Sequence, residues 1–358
     1  MNRKRKEPDF TLKGTIALLV LFFLLLLLLP CLVFFGNGSR NSSSENPSVS
    51  SSTPSSTVLQ TSESSAPVSA APQAETGQTT FSVLDKTSGT VQSIPQREFL
   101  IGTVSTEMSP DSPPEALKAQ AVASNTYYLR QQQVHQANPD PALSGADFSC
   151  ETGKWLTYAD EQQRKDRWGD NYQNYKTAVE QAVDATISQT LKIDGQLVDA
   201  TYFAISSGET ENASDLWGGG QACLVSVASP QDCFDPGFLS TKALSSDEVK
   251  TAAESLGCTM DGDPSSWFGE TNRSKAGNIL TQALGNQTVK GQDLRFALGL
   301  RSANFTWTYE NGTFTFTVKG YGHGVGMSQV GAKAMAQNGN SYGEILSWYY
   351  PGSSLESV

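Results

Sequence analysis

The hydrophobic pattern changes its period several times along the chain. From Gly14 to Gly36 an apolar run of 23 residues carries no charge; at 1.5 Å per residue it spans roughly 34 Å, enough to cross a bilayer core. Asn37 to Thr80 is rich in Ser, Thr, Pro and Ala, with no aromatic residue and no period, which predicts an unfolded linker. Phe81, Val83, Leu84, Val91 and Ile94 then alternate weakly, as one or two strands would. Leu100, Val104 and Met108 recur at every fourth position beside Phe99 and Ile101, predicting a helix over Gln96–Met108 that the following Ser-Pro and Pro-Pro pairs stop. A second helix opens at Pro113-Pro114-Glu115 and runs to Tyr128, with Ala or Ser on nearly every side, so neighbours can approach it closely. Further on, Asn174–Gln189 has helical period, and Leu191–Ile205 reads as strands turning at Asp194-Gly195. Ser245–Leu256 reads as a small helix, and Asn304–Lys319 as a hairpin around Asn311-Gly312. Ser341 and Glu344 form a capping box that opens a last helix, Ile345–Tyr349. These elements predict an α+β fold of helices and antiparallel hairpins in one large domain, 81–358, after a tail (1–13), a transmembrane helix (14–36) and a linker (37–80).

Charge sets the orientation. Five basic residues precede the apolar run, which keeps that end in the cytoplasm and places the large domain outside. The run is too long for a secretory signal and lacks a small-x-small cleavage site; Cys31, with Pro30 before it, does not suit a lipid anchor. The chain holds 25 Lys and Arg against 36 Asp and Glu, a net charge of −11, and the part beyond the basic tail is more acidic still. Such a surface excludes binding nucleic acid by counterion release and leaves membrane contact to the anchor. The linker, about 44 residues, wanders roughly 35–40 Å on average, a reach suited to a substrate held away from the membrane. Outside the anchor stand Cys150, Cys223, Cys233 and Cys258. Cys223 and Cys233, ten residues apart around a turn, are the pair best suited to a disulfide, with free buried thiols the alternative. No Cys-x-x-Cys occurs, and the two histidines lie 188 residues apart, a poor basis for zinc.

Two stretches could carry chemistry. Glu107 falls on the apolar stripe of the first helix and in its last turn. There desolvation and the negative helix end both disfavour the ionised carboxylate, poising it as a general acid; a frayed Glu facing water is the alternative. The second is Gly320-Tyr-Gly-His-Gly-Val-Gly-Met-Ser-Gln-Val-Gly-Ala332, five glycines in thirteen residues around His323. Glycines at that density hold a few side chains on a tightly folded loop, although a strand-to-helix turn with a structural imidazole has the same pattern. Gln120, inside the alanine-rich helix, must find hydrogen-bond partners. Ser206-Ser207-Gly208 ends a strand, where hydroxyls face a ligand or make a turn.

Taken together, Glu107-Met-Ser-Pro, Pro114-Glu-Ala-Leu-Lys-Ala-Gln-Ala-Val-Ala-Ser124, Tyr202-Phe-Ala-Ile-Ser-Ser-Gly-Glu-Thr210, Leu294-Arg-Phe-Ala-Leu-Gly-Leu-Arg-Ser302, the glycine loop and Tyr349-Tyr-Pro-Gly352 resemble the stage II sporulation protein D family (the SpoIID/LytB domain) in the family's order. That family also includes the cell-wall amidase enhancers. The resemblance implies a membrane-anchored lytic transglycosylase that cleaves peptidoglycan glycan strands during engulfment of the forespore, with Glu107 as catalytic acid. A non-catalytic enhancer that binds cell wall is the alternative. It also implies two partners, an amidase and a multi-span membrane protein. On motif membership, Gln120, Ser206, Ser207, Gly208, Thr210, Tyr321, His323 and Gln329 are expected to bind substrate. Arg301 is expected to meet a lactyl carboxylate or else loop carbonyls. Some members bind zinc after the second helix; here Cys150 keeps one ligand, but Lys154 and Trp155 stand near where the others would fall, so no cofactor is expected. The polar, aromatic-rich stretch 137–176 is either a sugar platform or a surface excursion capped by its own rings.

Overall fold

The computed structural model describes residues 79–357, all within one compact unit, Gln73–Val358. The expected tail and anchor, and all but the end of the expected linker, lie outside the described residues. Among the described residues no helix is long and apolar enough to cross a membrane. The fold is α+β. Strands β1 (Thr80–Asp85) and β2 (Thr90–Pro95) form an antiparallel hairpin with Phe81 opposite Ile94. Pro95 leads straight into helix α1 (Gln96–Glu107), whose Phe99, Leu100, Ile101 and Val104 are buried as their spacing predicts. The chain turns extended at Met108 and re-enters helix α2 (Pro114–Ala137) behind Pro113. This helix runs nine residues past the expected end. The polar stretch after Leu129 lacks an apolar period but consists largely of good helix formers.

Helix α2 is the axle of the molecule. Its first turn is tied to the last helix, since Glu115 Oε2 accepts the Tyr342 backbone N–H at 2.8 Å. Its middle is tied to the next sheet: buried Asn125 donates to the carbonyls of Ile187 and Gln189, and Thr126 Oγ1 accepts the Leu191 N–H at 3.0 Å. Ala116, Ala119, Ala121 and Ala123 are each at most 1% exposed, because a helix faced with methyl groups lets neighbouring backbones come close.

Strand β3 (Phe148–Cys150) adds parallel to β1. Helix α3 (Glu161–Trp168) and helix α4 (Tyr172–Asp184) then return the chain to α1 and α2. The aromatic-rich stretch packs partly on α1 and partly on itself: Tyr158 stacks on Phe99 with centroids 5.6 Å apart, and Trp168 meets Tyr172 and Tyr175. Gly102 makes the first contact feasible, since a Cβ there would lie 2.4 Å from the Tyr158 ring.

The Asp194-Gly195 turn forms as expected between β4 (Gln189–Ile193) and β5 (Gln196–Leu197). The strand expected to run on to Ile205 stops at Leu197. A turn from Thr201 N–H to Asp199 O intervenes, and the short strand β6 (Tyr202–Phe203) pairs in parallel with residues far downstream. After helix α5 (Ala213–Trp217), residues 239–319 build a core of their own. Here β7 (Leu239–Ser245) leads into helix α6 (Ser246–Ser255), and the antiparallel sheet β8 (Phe268–Arg273), β9 (Ile279–Leu284), β10 (Gln287–Lys290) precedes helix α7 (Gly291–Ala297). The expected hairpin, β11 (Phe305–Glu310) and β12 (Thr313–Lys319), then adds β7 at its other edge. Phe305, Phe314, Phe316, Leu294 and Trp267 fill this second core. Strand β8 escaped the pattern because it is polar and half-exposed along its length.

The glycine loop follows, then β13 (Met327–Ser328), helix α8 (Gln329–Gln337), the capped helix α9 (Tyr342–Tyr349) and β14 (Ser354–Ser357) against β4. The four cysteines beyond residue 79 are free thiols, which corrects the expected Cys223–Cys233 bridge: Cys223 is buried in the α2 core, whereas Cys233 is exposed beside the Ser207 carbonyl.

Candidate active site

Glu107 ends α1 where α2, β6 and the glycine loop converge. With Tyr127, Tyr128, Thr201, Tyr202 and His323 it lines a cleft of about 200 Å³. Burial raises its carboxyl to about 7, against the smaller opposing effect of a hydrogen bond from Gln329. Gln329 Nε2 donates to Glu107 Oε2 at 3.2 Å and to Gln120 Oε1 at 3.3 Å. Gln120 in turn donates to Ser124 Oγ at 3.1 Å, and Ser124 to the Tyr202 hydroxyl at 3.3 Å. One carboxyl oxygen is thus held by an amide. Burial and the nearby carboxylates raise the Tyr127 phenol to about 12 and the Tyr128 phenol further still. Both stay protonated at neutral pH.

His323 reaches the cleft by a different route. Tyr321 exchanges both backbone hydrogen bonds with Ile205, so the glycine loop runs against the segment 201–206. At Gly322 (φ +116°) a Cβ would lie 2.6 Å from Phe203 Cβ, and at Gly326 (φ +81°) it would lie 2.0 Å from the Thr201 carbonyl. Only glycine permits that approach. The imidazole sits between the Phe203 and Trp217 rings, 5.6 and 5.5 Å away. Val325 N–H donates to its Nδ1 at 3.1 Å, so the proton is on Nε2, which donates to the Tyr202 carbonyl at 3.1 Å. Burial first, and the Arg295 charge second, lower its pKa to about 4. His323 is therefore a neutral ring with both nitrogens spent on backbone; it shapes the cleft and carries no free base.

The structure thus brings Glu107, Gln120, Gln329 and His323 together, and leaves the other expected substrate contacts elsewhere. Ser206 is buried: its N–H donates to Asp232 Oδ2 at 2.7 Å, and its hydroxyl accepts from Gly208 N–H. Ser207 donates to the Ala276 carbonyl, and Thr210 exchanges bonds with Val225 and Val227. A Cβ on Gly208 would meet Cys233 Sγ at 3.1 Å. These four bond within their own loop region and are not among the residues that line the cleft. Arg301 stacks over the exposed Tyr321 ring at 4.3 Å, and neither lines the cleft. The sequence reading missed Tyr127, Tyr128, Tyr202 and Asp232. The two tyrosines end the alanine-rich face of α2, which was the one available sign; Asp232 had none.

Cys150 is buried among Phe81, Phe99 and Phe148, where desolvation pushes its thiol up to about 12. His135 Nδ1 is engaged by the Asp147 carbonyl, and among the described residues no three His, Cys, Asp or Glu side chains converge.

A single raised carboxyl held by an amide thus lies in a cleft walled by tyrosines and a neutral imidazole. The sequence profile of the SpoIID family, stage II sporulation protein, matches residues 85–192. The stage II sporulation protein D of Bacillus subtilis (strain 168) is 36% identical over 269 residues, covering 75% of this chain and 76% of its own; that of Bacillus amyloliquefaciens matches to the same extent. The amidase enhancer of Bacillus subtilis (strain 168) is 28% identical over 318 residues, covering 72% of this chain and 40% of its own. The chain belongs to the stage II sporulation protein D family.

Proposed function

We propose that this protein is a lytic transglycosylase that cleaves the MurNAc–GlcNAc strands of peptidoglycan during sporulation engulfment. The reading is supported above all by Glu107: its carboxyl, raised to about 7, lines a cleft to which no other carboxylate contributes among the described residues. A hydrolase of this class uses two carboxylates, one of them for water or for a covalent intermediate. A transglycosylase needs one, because the substrate carries its own nucleophile. Neutral Glu107 gives its proton to the glycosidic oxygen as the C1–O bond breaks. The carboxylate left behind takes the proton of the muramic 6-hydroxyl as that oxygen closes on C1. The product is a 1,6-anhydro sugar, and Glu107 ends the cycle protonated. Gln329 holds one carboxyl oxygen so that the other carries the proton, and the tyrosine hydroxyls of the cleft orient the sugars.

The rest of the reading extends to the chain around this domain. The apolar run 14–36 anchors it in the cell membrane with the N-terminus cytoplasmic, the linker carries the catalytic domain outside, and its partners are an amidase that strips stem peptides and a multi-span membrane protein.

The test is the product. The full chain, incubated with peptide-free glycan strands, is expected to release ends 18 Da lighter than hydrolytic ones. Glu107→Gln is expected to lower that release at least a thousandfold while keeping the fold. Reducing ends would point to a two-carboxylate muramidase. No cleavage by the unaltered chain, with stimulation of an amidase, would make it an enhancer.

A further inference from the structure

A separate pocket of about 270 Å³ lies against helix α8, walled by Pro230, Met335, Trp348 and Tyr349 around Ser229 and Gly331. It shares no lining residue with the Glu107 cleft. Gly331 follows Gln329 by two residues in α8, so the two point to opposite sides of the helix. The pocket therefore sits behind the residue that holds Glu107.

Three oxygens gather at its floor. Ser229 Oγ and the Tyr349 hydroxyl are 2.7 Å apart. A Cβ on Gly331 would collide with both and lie 3.0 Å from Asp232 Oδ1. Asp232 is fully buried. Its Oδ2 accepts the Ser206 N–H and the Ser328 hydroxyl, whereas Oδ1 has no hydrogen-bond partner among the described residues. A buried carboxyl oxygen left so is costly. Trp348, on the wall, is 47% exposed. Its Nε1 donates to the Ala228 carbonyl at 2.8 Å, so the ring is held in place.

Apolar walls over hydroxyls and a buried carboxyl describe an alkyl stem with a cationic tip. Asp232 repels an anion, and a neutral chain would leave its charge unanswered. A guanidinium pairs best with both oxygens of a carboxylate, and here one is already taken. An ammonium carries three donors on a compact tip, which suits three oxygens drawn together, and the Trp348 face attracts it as well. The volume falls below the roughly 300–1,000 Å³ of sites that enclose a whole small molecule, so one side chain fills it.

We propose that this pocket takes the free side-chain amine of a diamino residue in the stem peptides of peptidoglycan. Its methylenes lie against Met335 and Trp348, and its ammonium meets the Ser229 and Tyr349 hydroxyls over Asp232. The inference rests on the glycan-cleaving reading and adds to it which strands are held best: those that still bear uncross-linked stems. A cross-link turns the amine into an uncharged amide, which the pocket rejects. A lysine of a partner protein has the same tip, but would call for about 800 Å² of matching surface around it.

The experiment uses the full chain bearing Glu107→Gln, so that strands are bound and not consumed. Calorimetry at physiological salt compares glycan strands carrying free-amine stems with the same strands after amine acetylation. At least fivefold tighter binding of the free-amine form is expected. Adding Trp348→Ala, or separately Asp232→Asn, should shrink that preference to within twofold, which general attraction to an acidic chain would not do. With Glu107 intact, Trp348→Ala should raise KM for free-amine strands about fivefold, and leave kcat and the KM for peptide-free strands within twofold. Unchanged melting temperatures would show the variants folded. If acetylation makes no difference, or both variants keep the preference, the pocket assignment is overturned, and anhydro ends from peptide-free strands would leave the cleavage reading standing. Binding of Nα-acetyl-lysine methylamide that Trp348→Ala abolishes, without any preference among strands, would overturn the wall as occupant in favour of a protein lysine. A preference lost in the variants, in a chain that releases no anhydro ends, would keep the pocket and sink the cleavage reading. If the chain neither binds nor cleaves strands, both fall.

Discussion

Glu107 and His323 share one cleft, and burial displaces both toward their neutral forms, the carboxyl upward to about 7 and the imidazole downward to about 4. In the proposed mechanism cleavage needs Glu107 protonated. It also needs His323 Nδ1 free of a proton, because that nitrogen accepts the Val325 N–H. A pH–rate profile of kcat/KM is therefore expected to be flat between about 4 and 7 and to fall tenfold per unit above. Undiminished cleavage at pH 9 would remove Glu107 from the acid role. The same shift bears on stability. An ordinary Glu in the unfolded chain ionises near 4.5, so the folded state loses stability as pH rises from there through 7. Allowing for the solvent in the cleft, that loss is about 2 kcal/mol. Glu107→Gln should then be more stable than the unaltered chain at pH 8, and the gap in unfolding midpoints should close by pH 4. Glu107 was legible in sequence because an acid on an apolar stripe breaks a simple pattern. The tyrosines that wall the cleft break none.

The elements that hold the site meet at the start of α8. Ser328 caps that helix by accepting the Gly331 N–H at 3.2 Å, and it donates to Asp232 Oδ2 at 2.6 Å. The same oxygen takes the Ser206 N–H. One buried carboxyl thus joins the serine loop to the helix whose first residue, Gln329, orients Glu107. Gly331 is part of this joint: a Cβ there would lie 1.9 Å from the Tyr349 hydroxyl and 2.3 Å from Ser229 Oγ. Asp232→Ala should strip two buried donors of their acceptor, at about 2–4 kcal/mol, and lower kcat by loosening Gln329. Asp232→Asn, which keeps an acceptor, should recover most of both in denaturation and turnover measurements. A cap with no such coupling would cost stability and leave kcat alone. Helix α1 could be placed almost to the residue from its apolar period, and the capping box marked α9, which starts three residues before the expected Ile345. Strand β6 could not, because its parallel partner lies more than a hundred residues away.

At the scale of the molecule, the helical half around α2 and the strand-rich half of residues 239–319 each bury their own core, and the glycine loop follows the second. Among the described residues the four cysteines play no bridging part, so unfolding midpoints with and without a thiol reductant should coincide; a drop on reduction would show a disulfide. By itself the sequence determined several of the helices and the two Asx-Gly hairpin turns, that the domain mixes α and β, and that one acid falls on an apolar stripe, because each of these follows from neighbours within a few turns of chain. Only the tertiary structure decided what surrounds that acid. Glu107, Tyr127, Tyr202, His323 and Gln329 come from five separate segments of the chain. Whether Ser206 faces a ligand or is fixed within its own loop turns on a partner that local pattern cannot name, here the carboxyl of Asp232, 26 residues away, which takes its backbone N–H.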